Sequence, residues 1–138
     1  MLVEDSADDV VLFEITLRRT GLHDFFELAR RFENGEQAIE YFLNHSKTLE
    51  PEPLPDILIL DVKLPGCSGF DVLERLQLLR SRLIIAMFTT SILPEDKQQA
   101  ETLGAALFQT KTFEPVEFSR FLHFLARVVD ERAPNRKS

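Results

Sequence analysis

Residues 56–69 read Asp56-Ile57-Leu58-Ile59-Leu60-Asp61-Val62-Lys63-Leu64-Pro65-Gly66-Cys67-Ser68-Gly69, and their pattern decides the fold. Ile57 to Leu60 is a short apolar run without polar alternation, as expected of a central parallel strand covered on both faces. It stops at a carboxylate, Asp61. Leu64-Pro65-Gly66 and Gly69 then turn the chain. Phe70, Leu73, Leu76 and Leu79 follow at helical spacing, so the stretch is a strand, an acidic corner, a loop and a helix.

The same alternation extends in both directions. Upstream, Met1-Leu2-Val3 is a clipped apolar strand ending at Glu4 and Asp5. Ser6 and Asp9 have capping-box-like spacing, Val10, Phe13 and Leu17 form a helical stripe, and Gly21 closes that helix. Residues 26–30 are expected to be strand two. Asn34-Gly35 leads into a second helix with Ala38, Ile39, Phe42 and Leu43 on its apolar side. Residues 47–55 hold three prolines and two glutamates, a composition that cannot continue a helix and predicts a surface loop. Downstream, residues 83–88 form strand four, ending in Thr89-Thr90-Ser91. Pro94-Glu95-Asp96 opens helix four and Gly104 stops it. Residues 105–109 are strand five, followed by Lys111, and Pro115 opens helix five, which runs to about Glu131. The order is (βα)₅. Right-handed crossovers then give an α/β, flavodoxin-like doubly wound fold, a five-stranded parallel sheet in the order 2-1-3-4-5. We expect one domain over residues 1–131 and a flexible polar tail over 132–138.

The chain's 138 residues, with 44% hydrophobic and 28% charged content, fit one globular domain. By length alone we expect it to stand without an output domain. No apolar run approaches a membrane span, no signal peptide is expected, and a single cysteine, Cys67, cannot form an internal disulfide. The expected location is cytoplasmic. A formal net charge of −7 argues against nucleic-acid binding, which needs a basic face. His23, His45 and His123 show no metal-ligand spacing.

In the predicted topology the polar residues gather on one rim. Glu4 and Asp5 end strand one, Asp61 ends strand three, Thr89 ends strand four and Lys111 lies just past strand five. In such sheets ligands bind outside the carboxyl ends of the strands at the switch point. Converging carboxylates raise each other's pKa unless a cation separates them, and Mg²⁺ suits one or two direct carboxylates with retained waters. The chemistry this predicts is a carboxylate nucleophile for phosphoryl transfer, with the charge neutralised by the metal and Lys111. Singly, each residue has an ordinary reading. Glu4 and Asp5 could favour a helix dipole, Asp61 could sit in a turn, Thr89 could cap, and Lys111 could be solvated. Their conjunction on successive strand ends is what carries the prediction.

The run Val3-Glu4-Asp5-Ser6, the 56–69 stretch, Thr89-Thr90-Ser91 and Thr110-Lys111 together resemble response-regulator receiver domains of the chemotaxis-regulator type. The proline-rich loop and the Thr-Thr-Ser look most like stand-alone regulators paired with bacterial phytochromes. The resemblance implies that Asp61 is the phosphoacceptor and that Glu4, Asp5, Asp61 and the main-chain carbonyl of Lys63 hold Mg²⁺. It makes Thr89 the switch hydroxyl, Lys111 its charged partner and Phe108 the switching aromatic. A sensor histidine kinase is the implied partner, and the likeness to phytochrome-paired regulators points to a bacterial phytochrome. The sequence departs from the family in four ways. Strand one is short. Thr112 stands where a proline in a cis peptide is usual, so the Lys111–Thr112 bond is either trans or strained. Phe108 has no hydroxyl. Lys63 brings a cation two residues past Asp61, where it could shield an acyl phosphate.

Helix five carries two apolar stripes. Phe118, Leu122, Leu125 and Val129 are assigned to the core. Phe121, Phe124 and Val128 either widen that buried face or form an exposed patch for a homodimer or target, with Ile92, Leu93 and Phe113, near helix 4, strand 5 and helix 5. Two other functions compete. A carboxylate-nucleophile phosphohydrolase wants a second carboxylate two residues after Asp61, where Lys63 stands. A degenerate receiver binding partners without phosphorylation is opposed by the intact acidic and basic set. A dinucleotide site would need glycines where Glu4-Asp5-Ser6-Ala7 has none.

Overall fold

The computed structural model describes residues 1–45, 47 and 53–137, with side-chain detail through Arg132. β3 (Ile57–Leu60) is the hub of the sheet, pairing in parallel with β1 (Leu2–Val3) on one side and β4 (Ile84–Thr89) on the other. β2 (Arg31–Phe32) and β5 (Leu107–Thr110) are the edges, and the order is β2-β1-β3-β4-β5, as expected. Among the described residues five α-helices alternate with them: α1 (Ala7–Arg19), α2 (Gly35–His45), α3 (Gly69–Arg75), α4 (Pro94–Thr102) and, after the last strand, α5 (Pro115–Lys137). Of the proline-rich loop expected over 47–55, residues 48–52 lie outside the described residues. No helix among the described residues is long and apolar enough to cross a membrane.

Successive strand residues face opposite layers. Leu58 and Leu60 of β3, with Ile85 and Met87 of β4, pack against Ile39, Phe42, Leu73 and Ala100 of α2, α3 and α4. Ile59, Ile84, Ala86 and Phe88 pack on the other side against Phe13, Leu17, Phe118 and Leu122 of α1 and α5. The apolar run 57–60 is therefore covered on both faces.

Three expectations need correction. Residues 26–30 are not strand two. β1 offers only Leu2 and Val3, which pair with Arg31 and Phe32, so the ladder partner and not the apolar content sets β2. Helix five does not stop near Glu131. It continues to Lys137 through residues assigned to the polar tail, and the Arg132 guanidinium donates to the Arg80 carbonyl at 2.9 Å. The second stripe of helix five is not an exposed patch. Phe121 is buried and stacks on Phe88 at 5.1 Å, and Val128 packs against the same core. The helix has one wide apolar face because a β-sheet residue as large as Phe88 reaches across to it. Only Phe124 of the three is exposed.

The start of α1 follows the cap signal. The Ser6 hydroxyl accepts from the Asp9 backbone N–H at 3.2 Å, and Gly21, at φ 74°, takes the left-handed position past the helix end. Ser6→Ala is expected to cost about 1 kcal/mol, read as a lower urea midpoint at unchanged m-value.

Candidate functional site

The acidic pair follows directly from β1. Because Val3 is locked between Phe32 and Leu60, Glu4 and Asp5 emerge at the carboxyl end of the sheet beside Asp61. Carboxylate oxygens of Glu4, Asp5 and Asp61 lie within 4.8 Å of one another. Glu4 and Asp61 are buried and Asp5 is exposed. Arg31 fixes the loop that carries the pair, donating from Nε to the Glu4 carbonyl at 2.9 Å and from Nη2 to the Asp5 carbonyl at 3.1 Å.

Lys111 reaches the pocket from the end of β5. Its backbone N–H donates to the Thr89 carbonyl at 2.7 Å, and among the described residues no peptide bond is cis, so the Lys111–Thr112 link is trans. Its Nζ lies 2.6 Å from Glu4 Oε1, 2.7 Å from Asp9 Oδ2 and 2.8 Å from Asp61 Oδ2. An ammonium has three donors, and here each has a carboxylate. Burial alone would lower the Lys111 pKa, but the bonds to Asp61, Asp9 and Glu4 outweigh it and hold the pKa above the ordinary lysine value. Burial pushes the Glu4 carboxyl up, against the opposing pull of Lys111 and of the Ser6 N–H. The pocket thus holds Glu4, Asp5, Asp9 and Asp61 around a single ammonium, with Arg31 occupied on the backbone. The excess negative charge suits a divalent cation, and an oxygen-only donor set suits a hard one.

The expected residues are not all equally engaged. Asp61, Glu4, Asp5 and Lys111 come together. Thr89 is fully buried at the end of β4, and its hydroxyl accepts from the Ser91 N–H at 3.3 Å within its own loop. The Lys63 backbone N–H donates to Asp61 Oδ1 at 3.2 Å, which orients the carboxylate. Phe108, half-buried on β5, packs toward the α2–α4 layer. Two residues escaped sequence reading. In the sequence Asp9 reads only as part of a cap, although that cap places it at the helix N-terminus on the same rim. Arg31 gave no signal, because its role depends on the β1–β2 register.

Comparisons with known proteins identify the family. The model of the response regulator receiver domain matches residues 1–123. The chain belongs to the response regulator receiver domain family. Alkaline phosphatase synthesis transcriptional regulatory protein PhoP of Bacillus subtilis is 30% identical over 135 residues, covering 98% of this chain and 51% of that protein. The chain therefore spans about half the length of that regulator. Among solved structures, the bacteriophytochrome response regulator RtBRR is 28% identical with a TM-score of 0.68, covering 90% of this chain and 75% of that one. Response regulator TrrA of Thermotoga maritima, solved in complex with Mg²⁺-BeF, shares the fold at 21% identity and a TM-score of 0.66, covering 90% of this chain and 95% of that one. Receiver domains take phosphoryl groups from histidine kinases in two-component systems, and they are signalling domains, not classical enzymes.

Proposed function

We propose that Asp61 of this receiver domain accepts a phosphoryl group from the phosphohistidine of a sensor kinase. The observation that carries the reading is the Lys111 ammonium 2.8 Å from Asp61 Oδ2, inside a pocket of excess carboxylate. An Asp61 oxygen forms the new O–P bond as the donor's P–N bond breaks, and the imidazole, already protonated on its other ring nitrogen, leaves neutral with the P–N electron pair. Asp61 attacks as the carboxylate, so the step needs no general base. Glu4, Asp5, Asp61 and the Lys63 carbonyl would hold Mg²⁺, which supplies charge neutralisation at the phosphoryl oxygens. Lys111 meets the same charge from the other side. Thr89 ends β4, the strand beside β3, and its hydroxyl would turn from the Ser91 N–H to the phosphoryl group. Phe108 follows by repacking alone.

The likeness to RtBRR supports a bacterial phytochrome as the kinase, and with such a partner the domain would act in the cytoplasm. Exposed Ile92, Leu93 and Phe124, at the ends of β4 and along α5, are where a partner or a second copy would read the state. The test is incubation with Mg²⁺ and phosphoramidate, followed by intact mass. We expect a gain of one HPO₃ that falls to background with EDTA. No gain at saturating Mg²⁺ and donor would leave an interaction module that works without phosphorylation.

A further inference from the structure

Asp9 stands apart from the other acids. Its carboxylate is not among the three that converge for a cation, yet it lies 2.7 Å from Lys111 Nζ. A cation drawn to Glu4 and Asp61 competes with the ammonium for those same oxygens. Asp9 is then the contact that Lys111 keeps. Its position is well fixed: its N–H is held by Ser6 Oγ, and α1 is anchored one turn on by Phe13, edge-on to Phe88 and Phe118. The capping bond uses the Asp9 backbone, so the carboxylate itself is free for the lysine.

We propose that Asp9 is a positioning residue for Lys111, holding its ammonium beside Asp61 while the cation engages Glu4. This rests on the reading of Asp61 as phosphoacceptor.

The experiment compares wild type, Asp9→Asn and Asp9→Glu, each with and without Lys111→Met, in Mg²⁺ and phosphoramidate. Asp9→Asn is expected to lower the phosphorylation rate about fivefold, the scale of a part-exposed ion pair. Asp9→Glu, which keeps the charge at a helix position favourable to Glu, is expected to restore the rate to within about twofold of wild type. In the Lys111→Met background Asp9→Asn is expected to change nothing further, since it acts through the lysine. An independent readout is the ¹⁵N resonance of the Lys111 ammonium in the Mg²⁺-loaded protein. It should be slow to exchange in wild type and lost in Asp9→Asn. An unchanged rate in Asp9→Asn, or an equal loss in both lysine backgrounds, overturns the proposal. If wild type takes up no phosphoryl group, the phosphoacceptor reading fails, and the ammonium signal alone decides the anchor. A signal that persists in Asp9→Asn overturns it, and a signal lost only without the Asp9 charge supports it.

Discussion

Asp61→Asn is expected to take up no phosphoryl group under conditions where wild type gains one HPO₃, while folding normally. The substitution is nearly isosteric, and the amide oxygen can still accept the Lys63 N–H that orients the side chain at 3.2 Å. Lys111 keeps Glu4 and Asp9, at 2.6 and 2.7 Å, so its ammonium is not released. What disappears is the nucleophile, because a neutral amide oxygen does not form an acyl phosphate. Removing one of the three converging carboxylates also weakens cation binding, so the assay needs Mg²⁺ in large excess to separate the two effects. Glu4 and Asp5 are the alternative acceptors within the same pocket. Peptide mapping of wild type and variant distinguishes them: a gain in Asp61→Asn equal to that of wild type would falsify the assignment of Asp61.

The sequence carried those parts of the molecule that depend on neighbours along the chain. The apolar run before Asp61, the cap at Ser6 and Pro94 at the start of α4 appear as expected, because each needs only local geometry. The rim of Glu4, Asp5, Asp61 and Lys111 was legible because parallel strands put their carboxyl ends side by side. Features set by distant partners were harder to read. β2 moved to Arg31–Phe32 because β1 is only two residues long. Phe121 turned inward because Phe88 lies under it, and no periodicity within α5 distinguishes that from an exposed stripe. Asp9 joined the site through a contact spanning 102 positions in sequence. Two glycines of the same chain illustrate the difference, since turn chemistry explains one and tertiary approach the other.

Gly69→Ala is expected to cost about 1–3 kcal/mol or more, as overpacking does, and to slow phosphorylation of Asp61 about 100-fold. The sequence suggests a glycine that serves a turn, but its backbone φ is not in the left-handed region. Its lack of a side chain serves a close approach instead. A Cβ here would sit 2.1 Å from the Asp61 carbonyl oxygen and 2.9 Å from its carbon, with Met87 Cε at 3.1 Å. Met87 Cε ends a flexible side chain and can move aside, but the Asp61 wall is backbone and does not yield easily. The Gly69 N–H donates to the Val62 carbonyl at 2.8 Å, Ser68 and Asp71 form a capping box just before and after it, and Val72, Leu73 and Leu76 are buried beneath. Relief of the clash therefore shifts the Asp61 peptide by about 1 Å, a misplacement on the scale that costs about two orders of magnitude in rate. Gly21→Ala separates this from simple instability. Gly21 has open space around it but φ 74°, so alanine there is strained by about 1–2 kcal/mol, far from the rim. At matched fractions folded, Gly21→Ala should phosphorylate like wild type and Gly69→Ala should not. Equal rates for the two would mean that the acidic corner tolerates a displaced backbone, and that Lys111 and the cation, not the β3–α3 junction, set the position of the reacting oxygen.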